Sequence, residues 1–342
     1  MKTRKSLMSQ TAQRRFNFLV RGVCNSILLN TICRRDFDIT KTLVVAGSSR
    51  SGSTWLAEIV SAAPGYGQIF EPLNPSQVKA ARKAGIITHD IFVDRGTDWP
   101  AGKDFMRKVL QGQILTPWTS SQIPLSKTKD ISCLVVKFVR ANMLLGWLCA
   151  NFPIKPPALI IRHPCATIAS QAKKGWPCVP LTWTSPFFTR YPELKKRCQS
   201  LVRPEEVRAI RWCMQYFVPL SQPGPYPFVL LSYESLVRHG EEELARLYGR
   251  WGLLPVPAEA FAMLRRPSKT VTGESQVVLG KDPLVGWKKY LSKMEVANIL
   301  KVVDIFGLNF YTDAIEPDYE RLGKSSSIVE NSAELCSGPV LR

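Results

Sequence analysis

Histidine is scarce in this chain: His89, His163 and His239 are the only three among 342 residues, and they lie far apart. The nine cysteines are irregularly spaced and include no C-x-x-C pair. Together these absences argue against a structural zinc site and against a disulfide framework. An odd set of unpaired thiols predicts reduced, mostly buried cysteines and a cytoplasmic setting. Acidic residues are few as well, 27 against 46 Lys and Arg, leaving a net charge of +19. Such a field favours anionic ligands, nucleic acid or an anionic membrane surface. The chain has no zinc-finger spacing and no arginine-aromatic module of the RNA-binding kind, so small polyanions or acidic glycans are preferred to nucleic acid. No long hydrophobic run occurs. The apolar residues Phe16, Leu19, Val20, Val23 and Ile27 recur at helical spacing, but Asn17, Arg21, Asn25 and Asn30 interrupt them. That stretch is too short and polar to span a bilayer. It predicts an amphipathic helix in an N-terminal extension over 1–36, packed on the domain. The flanking Arg14, Arg15, Arg34 and Arg35 also suit peripheral contact with the inner membrane surface. No internal repeat is present.

What is present is an alternation of apolar runs and helical patterns over 37–321. Strands are expected at Thr42–Ala46, Tyr66–Phe70, Ile131–Val139, Ala158–Ile161 and Phe228–Ser232. Helices are expected after the first strand (Ser53–Ala62), at Met143–Phe152, after the fourth strand to Lys173, and at Arg203–Phe217, Glu241–Trp251 and Met294–Phe306. This predicts one α/β domain with a doubly wound parallel sheet and helices on both faces. Asn74–Asp130, with Gly, Pro and Trp scattered through it, reads as irregular helices and loops covering a site, and Trp176–Cys198, rich in Pro and aromatics, as another covering loop. Beyond Arg321 the Ser-rich composition predicts a mobile tail over 322–342.

The first strand runs into Gly47-Ser48-Ser49-Arg50-Ser51-Gly52-Ser53-Thr54-Trp55. This is close to the phosphate-binding pattern G-x-x-x-x-G-K-[ST], with Ser53 where the lysine belongs. Backbone N–H groups from Ser48 to Thr54, at a helix N-terminus, suit an anion. The side chains of Arg50, Ser53 and Thr54 add donors. The missing lysine argues against transfer of an ATP γ-phosphate. A second pair, Arg162 after the fourth strand and Ser170 eight positions later, suits a second phosphate. All the interesting residues, Arg50, Glu71, Lys137, Arg162 and Tyr233, fall at the carboxyl ends of predicted strands, where ligands bind in open α/β sheets.

The run Ser49–Trp55, followed by Arg162 and Ser170, resembles the sulfotransferase family. Pro267-Ser268-Lys269-Thr270 and Gly286-Trp287-Lys288-Lys289 resemble that family's late nucleotide-binding segment. The resemblance implies a P-loop-type fold and 3′-phosphoadenylyl sulfate (PAPS) as co-substrate, with the first loop on the 5′-phosphosulfate and Arg162 with Ser170 on the 3′-phosphate. Ser51, Gly52 and Trp55 join the donor site, Ser268, Lys269 and Thr270 add 3′-phosphate contacts, and Trp55 and Tyr233 are candidates for stacking on adenine. The cytosolic members carry a Lys-Thr-His stretch. Here it reads Lys137-Phe138-Val139, so the lysine remains and the histidine is absent. Phe70-Glu71-Pro72-Leu73 resembles the carbohydrate, trehalose and tyrosylprotein type, whose glutamate acts as base. The implied catalytic set is Glu71 as base, Lys137 stabilising charge on the transferred group, and Arg50 beside it. No metal is required in this scheme. The implied acceptor is a hydroxyl, with carbohydrate or glycolipid favoured. His89 lies in a covering segment and is placed to meet substrate, His163 reads as structural, and His239 as surface. A P-loop kinase for a small metabolite and a non-catalytic nucleotide- or polyanion-binding protein remain as alternatives.

Overall fold

The computed structural model describes residues 35–222, 225–268 and 283–323. Five parallel strands form one sheet: β1 (Leu43–Gly47), β2 (Tyr66–Phe70), β3 (Cys133–Phe138), β4 (Ala158–Ile161) and β5 (Val229–Ser232), in the order β2-β3-β1-β4-β5. Side chains alternate across a strand, and the two faces draw on alternate residues. Leu43, Val45, Val135, Ala158, Ile160 and Leu231 enter one apolar cluster, whereas Val44, Ala46, Val136, Phe138, Leu159 and Ile161 enter the other. Both faces are therefore dry, which is why these strands read as continuous apolar runs rather than alternating ones.

The first cluster is closed by the helices Ser53–Val60, Gly240–Trp251 and Ala258–Leu264. The other is closed by Pro100–Leu110, Leu145–Asn151, Pro164–Lys173, Pro204–Leu220 and Lys293–Ile305. The doubly wound expectation thus describes the chain. Two local expectations need correction. The segment 74–130 is not only a cover: its Pro100–Leu110 helix buries Phe105, Met106, Val109 and Leu110 in the core. In the second covering segment, the short helices Pro186–Arg190 and Pro192–Cys198 likewise bury Phe187, Phe188 and Leu194. In both segments a covering stretch leads into or out of core helices. The predicted N-terminal extension lies outside the described residues except for Arg35 and Asp36, and the predicted tail lies outside them beyond Gly323. Leu322 is buried, so ordered packing continues past the expected domain edge at 321.

Among the described residues no helix is long and apolar enough to cross a membrane. Six described cysteines are free thiols; burial pushes Cys149, Cys165 and Cys198 up to about 12.

Candidate active site

A cleft of about 1450 Å³ opens over the carboxyl ends of the strands. Ten Lys and Arg side chains line it against two Glu, so the positive charge of the chain is concentrated on a cavity. Arg50, Glu71, Lys137, Arg162 and Tyr233, the residues expected at strand ends, line it together with Ser170.

The donor end begins where β1 leaves the sheet. Gly47 is fixed by space: a Cβ there would lie 2.8 Å from the Ile160 carbonyl oxygen. Gly52 has φ +94°, and a Cβ would stand 2.4 Å from the Tyr233 ring, so only glycine lets the loop turn into the Ser53–Val60 helix. The first-turn amides of that helix have no intrahelical acceptor, which suits an anion. The expected run of donors is narrower than Ser48–Thr54, however. The Ser48 N–H donates to Tyr216 Oη at 3.0 Å, and the Ser51 N–H donates to Ser48 O at 3.1 Å. Those two bonds shape the loop and leave fewer of its amides to face a ligand.

Arg162 leaves β4 through a turn that is heavily braced. His163 is buried, its Nδ1 accepts from the Cys165 N–H at 3.2 Å, its Nε2 lies 2.9 Å from Thr312 O, and its ring stacks on Trp287. Burial holds this imidazole down at about 4, so it stays neutral. The His163 N–H donates to Glu234 Oε1 at 2.9 Å, and Tyr311 Oη donates to Glu234 Oε2 at 2.9 Å. The structural role expected of His163 is what the contacts display, and His239 is exposed at the start of the Gly240–Trp251 helix. With the turn fixed, the Arg162 guanidinium lies over the Tyr233 ring at 4.2 Å and donates to Arg50 O at 3.2 Å. Arg50 Nε in turn donates to Ser170 Oγ at 3.0 Å, so the two expected phosphate sites meet side by side. Burial and the neighbouring Arg162 both push the Arg50 guanidinium below its usual range.

At this end two residues that line the cleft carry a buried donor with no partner, Arg162 Nε and Trp287 Nε1. Buried donors in folded proteins are otherwise nearly always satisfied, so their direction marks an absent acceptor. Trp55 lines the same end, donates from Nε1 to Arg266 O at 3.0 Å and meets Tyr233 edge-on at 5.7 Å. One face of Tyr233 is thus taken by Arg162, which makes its ring a wall of the site. Ser268 lines the cleft, while Lys269 and Thr270 lie outside the described residues.

The acceptor end lies over β2 and β3. The parallel register sets Phe70 against Lys137, so Glu71, one residue past β2, meets the lysine directly. Lys137 Nζ donates to Glu71 Oε1 at 2.6 Å and sits 4.7 Å above the Phe70 ring. Although it stands at a strand end, Lys137 is 1% exposed. Burial lowers its affinity for a proton, and Glu71 partly restores it. Glu71 takes no contact from Arg50, the neighbour the sequence suggests. Its second charge partner is Arg140, whose Nη1 stands 3.7 Å from Oε2. The Glu71 backbone is held by its N–H donating to Lys137 O at 2.9 Å and by Trp118 Nε1 donating to its carbonyl at 3.3 Å.

Among the described residues, two non-glycine residues have positive φ: Arg50 at 73° and Glu71 at 42°. Left-handed backbone at such residues costs on the order of 1 kcal/mol or more and persists where the surroundings over-determine it. Both fall in the implied catalytic set.

The chain is similar to sulfotransferases. The sulfotransferase domain of the olefin synthase of Synechococcus PCC 7002 is 15% identical over 82% of this chain and 97% of that one, with a TM-score of 0.44. Mouse sulfotransferase SULT7A1, solved complexed with PAP, is 12% identical over 90% and 93% of the two chains, with a TM-score of 0.41. The sulfotransferase domain of the curacin biosynthetic pathway is 17% identical over 86% and 97%, with a TM-score of 0.36. No protein-family model and no curated protein sequence matches the chain. Likenesses this distant assign no activity, so the function has to be argued from the cleft itself.

Several residues of that cleft escaped the sequence reading. Arg140 follows Lys137 by three positions at the same strand end, a visible signal that a single-residue search passes over. Arg211 gave no local signal. It reaches Asp90 at 2.9 Å across 121 residues of sequence and donates to Val179 O at 3.1 Å and Pro180 O at 3.3 Å, tying both covering segments to one helix.

Proposed function

We propose that the protein transfers a sulfuryl group from PAPS to a hydroxyl acceptor, with carbohydrate or glycolipid favoured. The observation that carries this reading is the single cleft that joins two adjacent anion sites to a carboxylate on strained backbone. The loop amides with Arg50 suit the 5′-phosphosulfate, and Arg162, Ser170 and the unpartnered Trp287 Nε1 suit the 3′-phosphate. Buried, unpartnered donors fit a ligand rich in oxyanions.

Glu71 stands across the cleft from those sites. Its Oε1 is engaged by Lys137, and its Oε2, 3.7 Å from Arg140, is the oxygen left to take a proton. Transfer proceeds in line. The acceptor oxygen forms its bond to sulfur as the bond from sulfur to the 5′-phosphate oxygen breaks. The acceptor proton passes to Glu71 Oε2, and the bisphosphate departs with the electron pair of the broken bond. Positioning and electrostatic stabilisation carry most of such a step, by analogy with phosphoryl transfer. Lys137, held by Glu71 at the end of β3, offers charge to the developing oxyanion.

The test combines binding and turnover. Adenosine 3′,5′-bisphosphate is expected to bind in the presence of EDTA, and labelled PAPS to pass its sulfuryl group to members of a methyl-glycoside and glycolipid panel. Glu71→Gln is expected to keep bisphosphate affinity and lose on the order of 10²-fold in turnover. A preference for Mg·ATP over the bisphosphate would replace this reading with that of a kinase.

A further inference from the structure

His89 is the one histidine that faces the cleft, and its surroundings determine where its proton sits. The residue is exposed at the cleft wall, on the covering segment that follows the Lys79–Lys83 helix. Its Nδ1 receives two guanidinium donors from Arg140, Nε at 3.0 Å and Nη2 at 2.7 Å. A guanidinium can only donate, so Nδ1 must present its lone pair. A neutral imidazole then carries its hydrogen on Nε2, the nitrogen turned away from Arg140. The same guanidinium places Nη1 against Glu71 Oε2, and Arg140 is itself about nine-tenths buried, with no hydrogen bond made by Nη1. One arginine therefore fixes the carboxylate on one edge and the imidazole on the other.

We infer that Arg140 is a positioning residue that presents His89 as a neutral Nε2–H donor beside Glu71, and that this pair selects an acceptor with two oxygen functions, a polyol or sugar rather than a lone hydroxyl. One acceptor hydroxyl gives its proton to Glu71, and a second oxygen accepts from His89 Nε2–H. The inference rests on the reading of Glu71 as the acceptor-side base. Burial, more than any one charged neighbour, favours the neutral ring. Burial and Arg140 work against protonation, joined by Arg211, while Asp90 and Glu71 favour it, and the sum lowers the pKa below the ordinary value.

With only three histidines, ring nitrogens can be resolved in the full-length chain labelled with ¹⁵N-histidine and saturated with adenosine 3′,5′-bisphosphate. His89, assigned by loss of its signals in His89→Gln, is expected to show bare Nδ1 and protonated Nε2 at pH 7. Arg140→Gln is expected to mix the tautomers and raise the His89 pKa toward its ordinary value, with His163 unchanged. Arg140→Lys, which keeps the charge but not the fork, should mix the tautomers too and serves if the glutamine variant fails to fold. A protonated Nδ1 in the wild-type protein, or a tautomer indifferent to both variants, overturns the role of Arg140. For the acceptor class, labelled PAPS is offered with trans-cyclohexane-1,2-diol and with cyclohexanol. The diol is expected to be preferred about tenfold in kcat/KM, through KM. His89→Ala should erase that preference, and His89→Gln, which keeps an N–H donor, should retain part of it. Equal use of the two alcohols, or transfer to neither, overturns the acceptor class. Failure of the bisphosphate to bind would instead strike the donor-site reading, and the tautomer would then be read on the nucleotide-free protein with the same two outcomes.

Discussion

The two ends of the cleft are built on opposite plans. The donor end, over β1 and β4, is made of backbone amides, tight glycines and cations that stand next to each other. Arg50 and Arg162 are neighbours, and the buried Arg162 Nε and Trp287 Nε1 have no acceptor. The acceptor end, over β2 and β3, sets its cations against carboxylates, although Arg140 Nη1 makes no hydrogen bond. Lys137 is paired with Glu71, Arg140 bridges Glu71 and His89, and Arg211 is paired with Asp90. A surface that leaves donors unsatisfied is prepared for a ligand of fixed, strongly anionic chemistry. A surface whose charges hold each other in place is prepared to orient groups.

Four measurements would sharpen or break that contrast. The largest effect is expected at the acceptor end. Lys137→Ala leaves Glu71 without its buried partner and should cost about 4 kcal/mol of stability, read by urea unfolding. A loss below about 1 kcal/mol would show that the pair is not buried as described. Next, the turn that aims Arg162 depends on neutral His163. Its folded pKa, about 4, lies below the unfolded value, so between these values the unfolded chain binds more protons. Stability is then complete above about pH 6.5 and falls as pH drops toward 4, by about 3 kcal/mol. Unfolding free energies that stay flat from pH 7 to 4.5, with His163→Gln behaving like wild type, would remove the brace. Third, Arg162→Gln should weaken adenosine 3′,5′-bisphosphate by about 2 kcal/mol, roughly 30-fold, with acceptor KM unchanged. A parallel rise in acceptor KM would mean that the two ends are not separate. The smallest effect is expected for Arg211→Gln, about 1 kcal/mol, seen as a several-fold rise in acceptor KM with nucleotide affinity intact.

The same contrast explains what could be read before any coordinates. The donor end rests on local features. β4 is bounded in the sequence by Pro156-Pro157 on one side and Arg162-His163-Pro164 on the other. A glycine that must adopt φ +94° announces a loop within nine letters of sequence. The acceptor end rests on partnerships fixed by strand register and chain crossing. Glu71 meets Lys137 across 66 residues and Arg211 meets Asp90 across 121, and no local pattern encodes either. That is why the reading of the residues placed Glu71 near Arg50. It is also why Asn74–Asp130 read as a cover. Its Pro100–Leu110 helix has no side-chain cap, so its start carries little signal beyond Pro100 itself.

Arg50 combines left-handed backbone with a like-charged neighbour, and both disfavour the folded protein when the loop is empty. An anion seated between Arg50 and Arg162 would turn that repulsion into shared attraction, so occupancy and thermal resistance should rise together. For this protein a melting curve would then double as an affinity measurement. Sulfate or phosphate in the buffer would compress its range, and an Arg50→Gly chain could melt higher than wild type when empty while gaining less from the bisphosphate.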